Sequence, residues 1–154
     1  MEKRNVLFVM SSLRNGGAER SLVNLLQLLD YDRYNVDLLL FQNEGMFLKQ
    51  VPKAVNIISN CNKLYTLYDN NKAEALKHPY LSAVHMIGTF ISRKKTNSVA
   101  KSRQYRWEHF YKKIVPELTK EYDVAIAYMQ REQTYFLVDK VKATKKIAWV
   151  HNEY

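Results

Sequence analysis

Two adjacent glycines, Gly16 and Gly17, lie in the segment Met10-Ser11-Ser12-Leu13-Arg14-Asn15-Gly16-Gly17-Ala18-Glu19-Arg20 and make up half of the four glycines in the chain. They separate an apolar run, Val6 to Met10, from a helix-patterned run, Ala18 to Leu29. Glycine at a strand-to-helix turn permits a positive φ and lets backbone come close to a ligand. The helix that follows would aim its free N–H groups at the turn, which suits an anion such as a phosphate. Taken alone, the doublet is equally a plain turn before a helix. His151 falls just past a second apolar run, Lys146 to Val150, where an imidazole could face a ligand. A lone histidine is usually structural or simply exposed.

Spacing removes several chemistries. A dinucleotide fingerprint needs three glycines as GxGxxG at the strand end, whereas this doublet begins six residues past Met10. No GxxxxGK[ST] is present, which excludes a P-loop. His78, His85 and His109 have no ligand spacing with one another or with Cys61, so no metal is expected. Cys61 is the single cysteine and cannot form an internal disulfide, which fits a reducing cytosol.

The elements that must position these residues follow from the patterning. The 154 residues, 47% hydrophobic, fit one domain with a real core rather than a disordered chain. Strands are expected at Asn5 to Met10, Asn35 to Phe41, Val55 to Ser59, Tyr122 to Tyr128 and Lys146 to Val150. Helix α1 has Ala18, Leu22, Leu25, Leu26 and Leu29 on one stripe, with a period of about 3.6 residues. The stretch from Cys61 to Leu118 reads as mostly helical. There Tyr80, Ala83, Val84, Ile87 and Ile91 share one face, and Trp107, Phe110, Tyr111, Ile114 and Leu118 another, with Pro116 interrupting the second. A last helix is expected from about Gln133 to Lys142. Unbroken apolar strands alternating with helices predict an α/β fold, a Rossmann-like doubly wound parallel sheet with helices on both faces. Ligands of such sheets bind beyond the carboxyl ends of the strands. The longest apolar stretch, Tyr80 to Ile91, is interrupted by Ser82, His85, Gly88 and Thr89 and is too short to span a bilayer.

The net charge of +9 is unevenly spread. Arg93, Lys94, Lys95, Lys101, Arg103, Arg106, Lys112 and Lys113 stand against Glu108 alone, which gives +7 in one stretch. Such a stretch is either a solvated helix face or a surface for an anionic partner. Arg103, Tyr105, Arg106 and Trp107 interleave bases with aromatics, as nucleic-acid binders do, but Trp107 also fits the buried stripe with Phe110 and Tyr111. Core packing is the simpler account of Trp107, and no nucleic acid is expected.

Asn15-Gly16-Gly17-Ala18-Glu19-Arg20, followed by Leu22-Val23-Asn24-Leu25, resembles the N-terminal signature of the family 4 glycosyltransferases of GT-B fold. In that family a GGAE-type loop follows the first strand and leads into a leucine-rich helix. Tyr122-Asp123-Val124-Ala125-Ile126-Ala127 resembles the family's fourth strand, and Ile147-Ala148-Trp149-Val150-His151-Asn152 its fifth, which ends in a histidine. The resemblance covers the whole chain but only the first of the family's two domains. It implies that residues 1–154 are a single, truncated N-terminal Rossmann-like domain on the acceptor side, with the C-terminal nucleotide-binding domain absent. It implies retaining, metal-independent transfer of a sugar from a nucleotide-sugar donor to a glycan or lipid-linked acceptor, with no cofactor beyond that donor. Gly16, Gly17, Ala18 and Glu19 match the loop at the donor phosphates and acceptor. His151 matches the histidine that contacts the transferred sugar. Because the first GT-B domain faces the acceptor, Arg93, Lys94, Lys95, Lys101, Arg103 and Arg106 are expected to form an acceptor or membrane surface. The expected location is cytoplasmic, with peripheral contact to an anionic inner membrane face. The alternative function is a stand-alone Rossmann- or flavodoxin-like binding module without catalysis.

Overall fold

A computed structural model describes residues 2–58, 67 and 76–150 of the chain. The elements are β1 (Arg4–Met10), α1 (Gly17–Leu28), β2 (Tyr34–Leu40), β3 (Asn56–Ile58), α2 (Pro79–Lys95), α3 (Val99–Arg106), β4 (Glu121–Ala127), α4 (Glu132–Lys140) and β5 (Lys142–Ala148). A short 3₁₀ turn covers Leu48–Gln50, and α3 runs on into a π-helical turn, Trp107–Tyr111. Two compact units result: Met1–Asn60 with Glu117–Tyr154, and Cys61–Pro116.

The first unit holds one five-stranded sheet in the order β3-β2-β1-β4-β5. Every pairing is parallel, from Val6 opposite Val36 and Val124 to Glu121 opposite Lys142. The expected Rossmann-like sheet is therefore present. Alternation along β1 and β2 sends Val6, Phe8, Met10, Val36, Leu38 and Leu40 to one face, where they pack with Leu22, Val23 and Leu26 of α1. Ala18, Leu25 and Leu29 flank this cluster, as the helical stripe requires. Burying each leucine stabilises the unit by about 1.5–3 kcal/mol relative to exposure. Leu7 and Val9 point to the opposite face. There α4 buries Phe136 and Leu137, and the Phe136 ring meets Phe41 edge-on at 5.8 Å. The helices thus cover both faces.

One charged residue enters this apolar sheet. Asp37, in the middle of β2, is buried and accepts from Lys120 Nζ at 2.9 Å, Tyr122 OH at 2.7 Å and Asn56 Nδ2 at 3.0 Å. Burial alone would push its carboxyl pKa up, but the three hydrogen bonds and the Lys120 charge outweigh burial and hold it below its ordinary value. Burial, then the hydrogen bond to and the charge of Asp37, push the Tyr122 phenol up.

Strand β5 begins and ends earlier than expected, at Lys142–Ala148 instead of Lys146 to Val150. It is the sheet edge, and its side chains are mostly exposed. An edge strand needs backbone pairing with β4 but no apolar run, so Lys142-Ala143-Thr144-Lys145 carried no strand pattern.

In the second unit α2 buries a different face from the one expected. Leu81, Gly88 and Ser92 are buried, with His85 half-buried between them; of the expected face Val84 and Ile91 are half-buried, whereas Tyr80, Ala83 and Ile87 are exposed. Small side chains explain the choice. A Cβ on Gly88 would touch the Phe110 ring at 3.4 Å and Arg106 Cγ at 3.6 Å, so α3 and its π turn pack close against the glycine. The Ser92 and Ser102 hydroxyls close the same contact at 2.8 Å. Trp107 and Tyr111 are buried, as core packing predicts. The helical run ends at Tyr111, ahead of Pro116, with the Ile114 and Val115 amides turning back to the Tyr111 carbonyl.

Candidate functional site at the carboxyl edge of the sheet

All five strands are parallel, so their carboxyl ends line one edge. Strand order reverses between β1 and β4, the place where open α/β sheets bind ligands. The loop after β1 is held there by backbone bonds. Phe41 N donates to Met10 O at 3.1 Å, Gln42 N to Ser11 O at 2.7 Å and Leu13 N to Glu44 O at 2.9 Å. Leu13 is fully buried beneath the loop. Arg14 Nε donates to Glu44 Oε1 at 2.8 Å, which ties the β1 and β2 loops together at the surface.

Gly45 gives this shelf its shape. Its φ is +127°, and a Cβ there would collide with the Leu13 carbonyl. The expectation of positive φ at the doublet is therefore corrected. Gly16 is the N-cap of α1 at φ −86° and ψ 162°, an extended conformation open to any residue, and Gly17 is the first residue of the helix. What glycine supplies at position 17 is space: a Cβ built there meets nothing within 4 Å. The first N–H groups of α1 have no intrahelical acceptor, and the helix dipole makes this end positive. No N-cap side chain bonds them. The Glu19 carboxylate folds back over Gly16, where a Cβ would strike it. Ala18 packs its methyl on the core and offers the edge only its backbone.

The turn from β4 to α4 completes the edge. Tyr128 N donates to Val9 O at 3.0 Å, and the buried Tyr128 ring lies 6.2 Å from Phe8 and 5.2 Å from Trp149. Its hydroxyl meets Ser21 Oγ on α1 at 3.0 Å. Trp149 N in turn donates to Ala127 O at 2.8 Å. Tyr128 thus links β1, α1, β4 and the segment after β5. Next along the chain, Gln130 Oε1 is buried without a hydrogen-bond partner, and Arg131 takes φ 80° and ψ −121°. A non-glycine residue in that region stores about 1–3 kcal/mol.

Comparison of the chain with protein-family models, curated proteins and solved structures found no match.

Gly16, Gly17, Ala18 and Glu19 are brought together as the sequence places them. His151 and Cys61 lie outside the described residues. The six basic residues belong to the second unit and do not act alike. Arg93, Lys94 and Lys95 are exposed in the last turn of α2, and Lys101 is exposed on α3. Arg103 and Arg106 are half-buried. Arg106 donates from Nη1 to Thr89 Oγ1 at 2.8 Å, while its Nε is buried without a partner. Among the described residues no group of three His, Cys, Asp or Glu is placed to hold a metal ion, and no helix is long and apolar enough to cross a membrane.

Tyr128, Gln130, Arg131 and Gly45 were not singled out by sequence reasoning. For Gly45 a signal existed, since Gln42-Asn43-Glu44-Gly45 has the composition of a turn. Arg131 carries none, because no residue-type preference marks an arginine at positive φ.

Proposed function

We propose that this chain is the acceptor-side domain of a retaining glycosyltransferase that moves a sugar from a nucleotide-sugar to a glycan or lipid-linked acceptor on the cytoplasmic side. The observation that carries the reading is the open side of Gly17, at the positive end of α1 and at the strand-order reversal of a parallel sheet. The N–H groups of Gly17 and Ala18 would bind the donor diphosphate. In the reaction an acceptor hydroxyl oxygen bonds to the anomeric carbon and the bond from that carbon to the phosphate oxygen breaks. The nucleoside diphosphate leaves with the electron pair, and the hydroxyl proton is released. Charge grows on the leaving oxygen, and fixed amides stabilise it without reorganising. Glu19 repels a phosphate and accepts from a hydroxyl, so its part is assigned to the acceptor. By the family resemblance His151 would contact the transferred sugar.

Titrating the isotope-labelled chain with UDP- and GDP-sugars tests this reading by amide chemical shifts. Weak, millimolar binding with shifts centred on Gly16 to Glu19 is expected, because the resemblance assigns the nucleotide pocket to a second domain. Micromolar affinity would favour the stand-alone binding module. Absence of any shift in those amides would remove the phosphate site.

A further inference from the structure

Helix α2 presents four of its large apolar side chains outward. Its buried stripe is Leu81, Gly88 and Ser92, while Tyr80, Met86, Ile87 and Phe90 are 67%, 69%, 56% and 62% exposed. Spacings of three, four and seven place these residues on one side of the helix. A contiguous exposed apolar patch of this kind marks an interaction surface.

Charge identifies the occupant. The patch runs into Arg93, Lys94 and Lys95 in the last turn, and Lys94 Nζ lies 4.4 Å from the Phe90 ring centre. Between Pro79 and Arg106 the chain carries six Lys and Arg and no Asp or Glu. His85, Met86, Thr89, Phe90, Arg93 and Lys94 line an open groove of about 480 Å³ that holds both apolar and cationic side chains. A protein partner would have to match an apolar face bordered by charges of a single sign. The aromatics interleaved with bases on α3 are not free to stack on nucleic-acid bases, since Trp107 is buried and Tyr105 is stacked on His109 at 3.9 Å. An anionic lipid surface matches both halves. Apolar side chains enter the boundary between headgroups and acyl chains, and cations hold phosphates beside them.

We propose that α2 lies in the plane of an anionic bilayer surface, with Met86, Ile87 and Phe90 inserted and Arg93, Lys94, Lys95 and Lys101 on the lipid phosphates. This inference stands independently of the sugar-transfer reading, because its test uses the chain without donor or acceptor. The chain is sedimented with vesicles of phosphatidylcholine alone and of phosphatidylcholine mixed with phosphatidylglycerol. Binding to the mixed vesicles alone is expected. It should weaken as salt rises from about 0.1 M to about 1 M, where the screening length falls from about 10 Å to about 3 Å. Each cation at an anionic leaflet is worth roughly a fivefold gain in partitioning, so R93Q/K94Q/K95Q/K101Q should lose roughly 10²- to 10³-fold. Met86→Asp and Phe90→Asp should each remove binding while circular dichroism stays at the parent level, since both side chains are exposed. Ile87→Trp should shift its emission to the blue only with the mixed vesicles. Equal binding to neutral vesicles, no binding to either, or full binding by the glutamine or aspartate variants would overturn the proposal. So would tight binding to a single-stranded oligonucleotide without vesicle sedimentation.

Discussion

Gly17→Ala separates a glycine kept for folding from one kept for a ligand. Gly17 is the first residue of α1, and a methyl added to it meets nothing within 4 Å. Its φ lies outside the left-handed range, as the single positive-φ glycine among the described residues is Gly45. Alanine therefore fits the native backbone and reduces the freedom of the unfolded chain, which stabilises by about 0.4–1 kcal/mol. For a chain near this size one kcal/mol shifts Tm by about 2–4 °C, so Gly17→Ala should raise Tm by roughly 1–4 °C. Valine places bulk on the same open side, and at a first helical position its branched Cβ has little preceding turn to crowd. Function should move the other way. Removing one fixed donor from a developing anion costs about 2.7–4 kcal/mol, a factor of roughly 10² to 10³ in turnover. Gly17→Val in an enzyme carrying this domain should lose turnover on that scale while its melting curve stays at or above the parent's. In the isolated chain, the shifts of the Gly17 and Ala18 amides with UDP-glucose should vanish. A Tm several degrees below parent would show that the fold itself needs this glycine. Unchanged turnover in a stably folded Gly17→Val enzyme would refute the phosphate site.

Gly45→Ala should do the opposite to stability: φ +127° strains any side chain by about 1–3 kcal/mol, and the new Cβ strikes the Leu13 backbone, so thermal melting should fall by several degrees. Asp37→Ala leaves the buried Tyr122 hydroxyl without its acceptor, a cost of about 1–3 kcal/mol that urea denaturation will read. Asp37 also sets an acid limit. Its folded pKa lies below the unfolded value of about 3.9, so its stabilisation is complete above that value and is lost as pH falls through the folded pKa; the parent should lose more stability below about pH 4 than Asp37→Asn does. His85 works in a higher window. Burial, with added push from the Arg106 and Arg93 charges, holds its pKa below the ordinary value despite the Leu67 carbonyl at 2.6 Å. The unfolded chain therefore binds a proton first, and stability should decline as pH falls below about 6.5. Titrating the melting temperature of His85→Gln should show a flatter slope there; an identical slope would mean that His85 is not the group responsible.

How much of this was legible in the sequence depended on what each pattern records. β1, β2 and β4 are buried within the sheet, and their apolar runs fixed their places to within a residue or two. α1 packs its largest side chains inward, so periodicity found the right stripe. In α2 the same rule picked a neighbouring face, of which Val84 and Ile91 are half-buried and Tyr80, Ala83 and Ile87 exposed. Periodicity finds an apolar face but does not say what the face touches, and here close approach of α3 to Gly88 and Ser92 decided which side is buried. β5 was half-read because its first residues meet solvent on an edge and only its backbone is required. The doublet was placed correctly at the turn, but its reason was misread. Positive φ depends on long-range contacts such as Gly45 against Leu13, which no local pattern contains.

The two ends of the sheet also differ in how their polar groups are used. Toward the amino ends of β3 and β4, Asp37, Asn56, Lys120 and Tyr122 satisfy one another, and such a closed set supports the fold without inviting a ligand. At the carboxyl edge the accounts stay open. Gln130 Oε1 is buried and unpaired, Arg131 is strained, and a Cβ on Gly17 in the first turn of α1 would meet open space. An unmet buried acceptor costs about 1–3 kcal/mol and the strain at Arg131 a similar amount. A domain of marginal stability tolerates such costs where something outside the chain offsets them. One unpaired buried acceptor and one strained residue in the turn after β4, against a satisfied Asp37 cluster toward the amino ends, are the physical reason for looking for the site at the carboxyl edge.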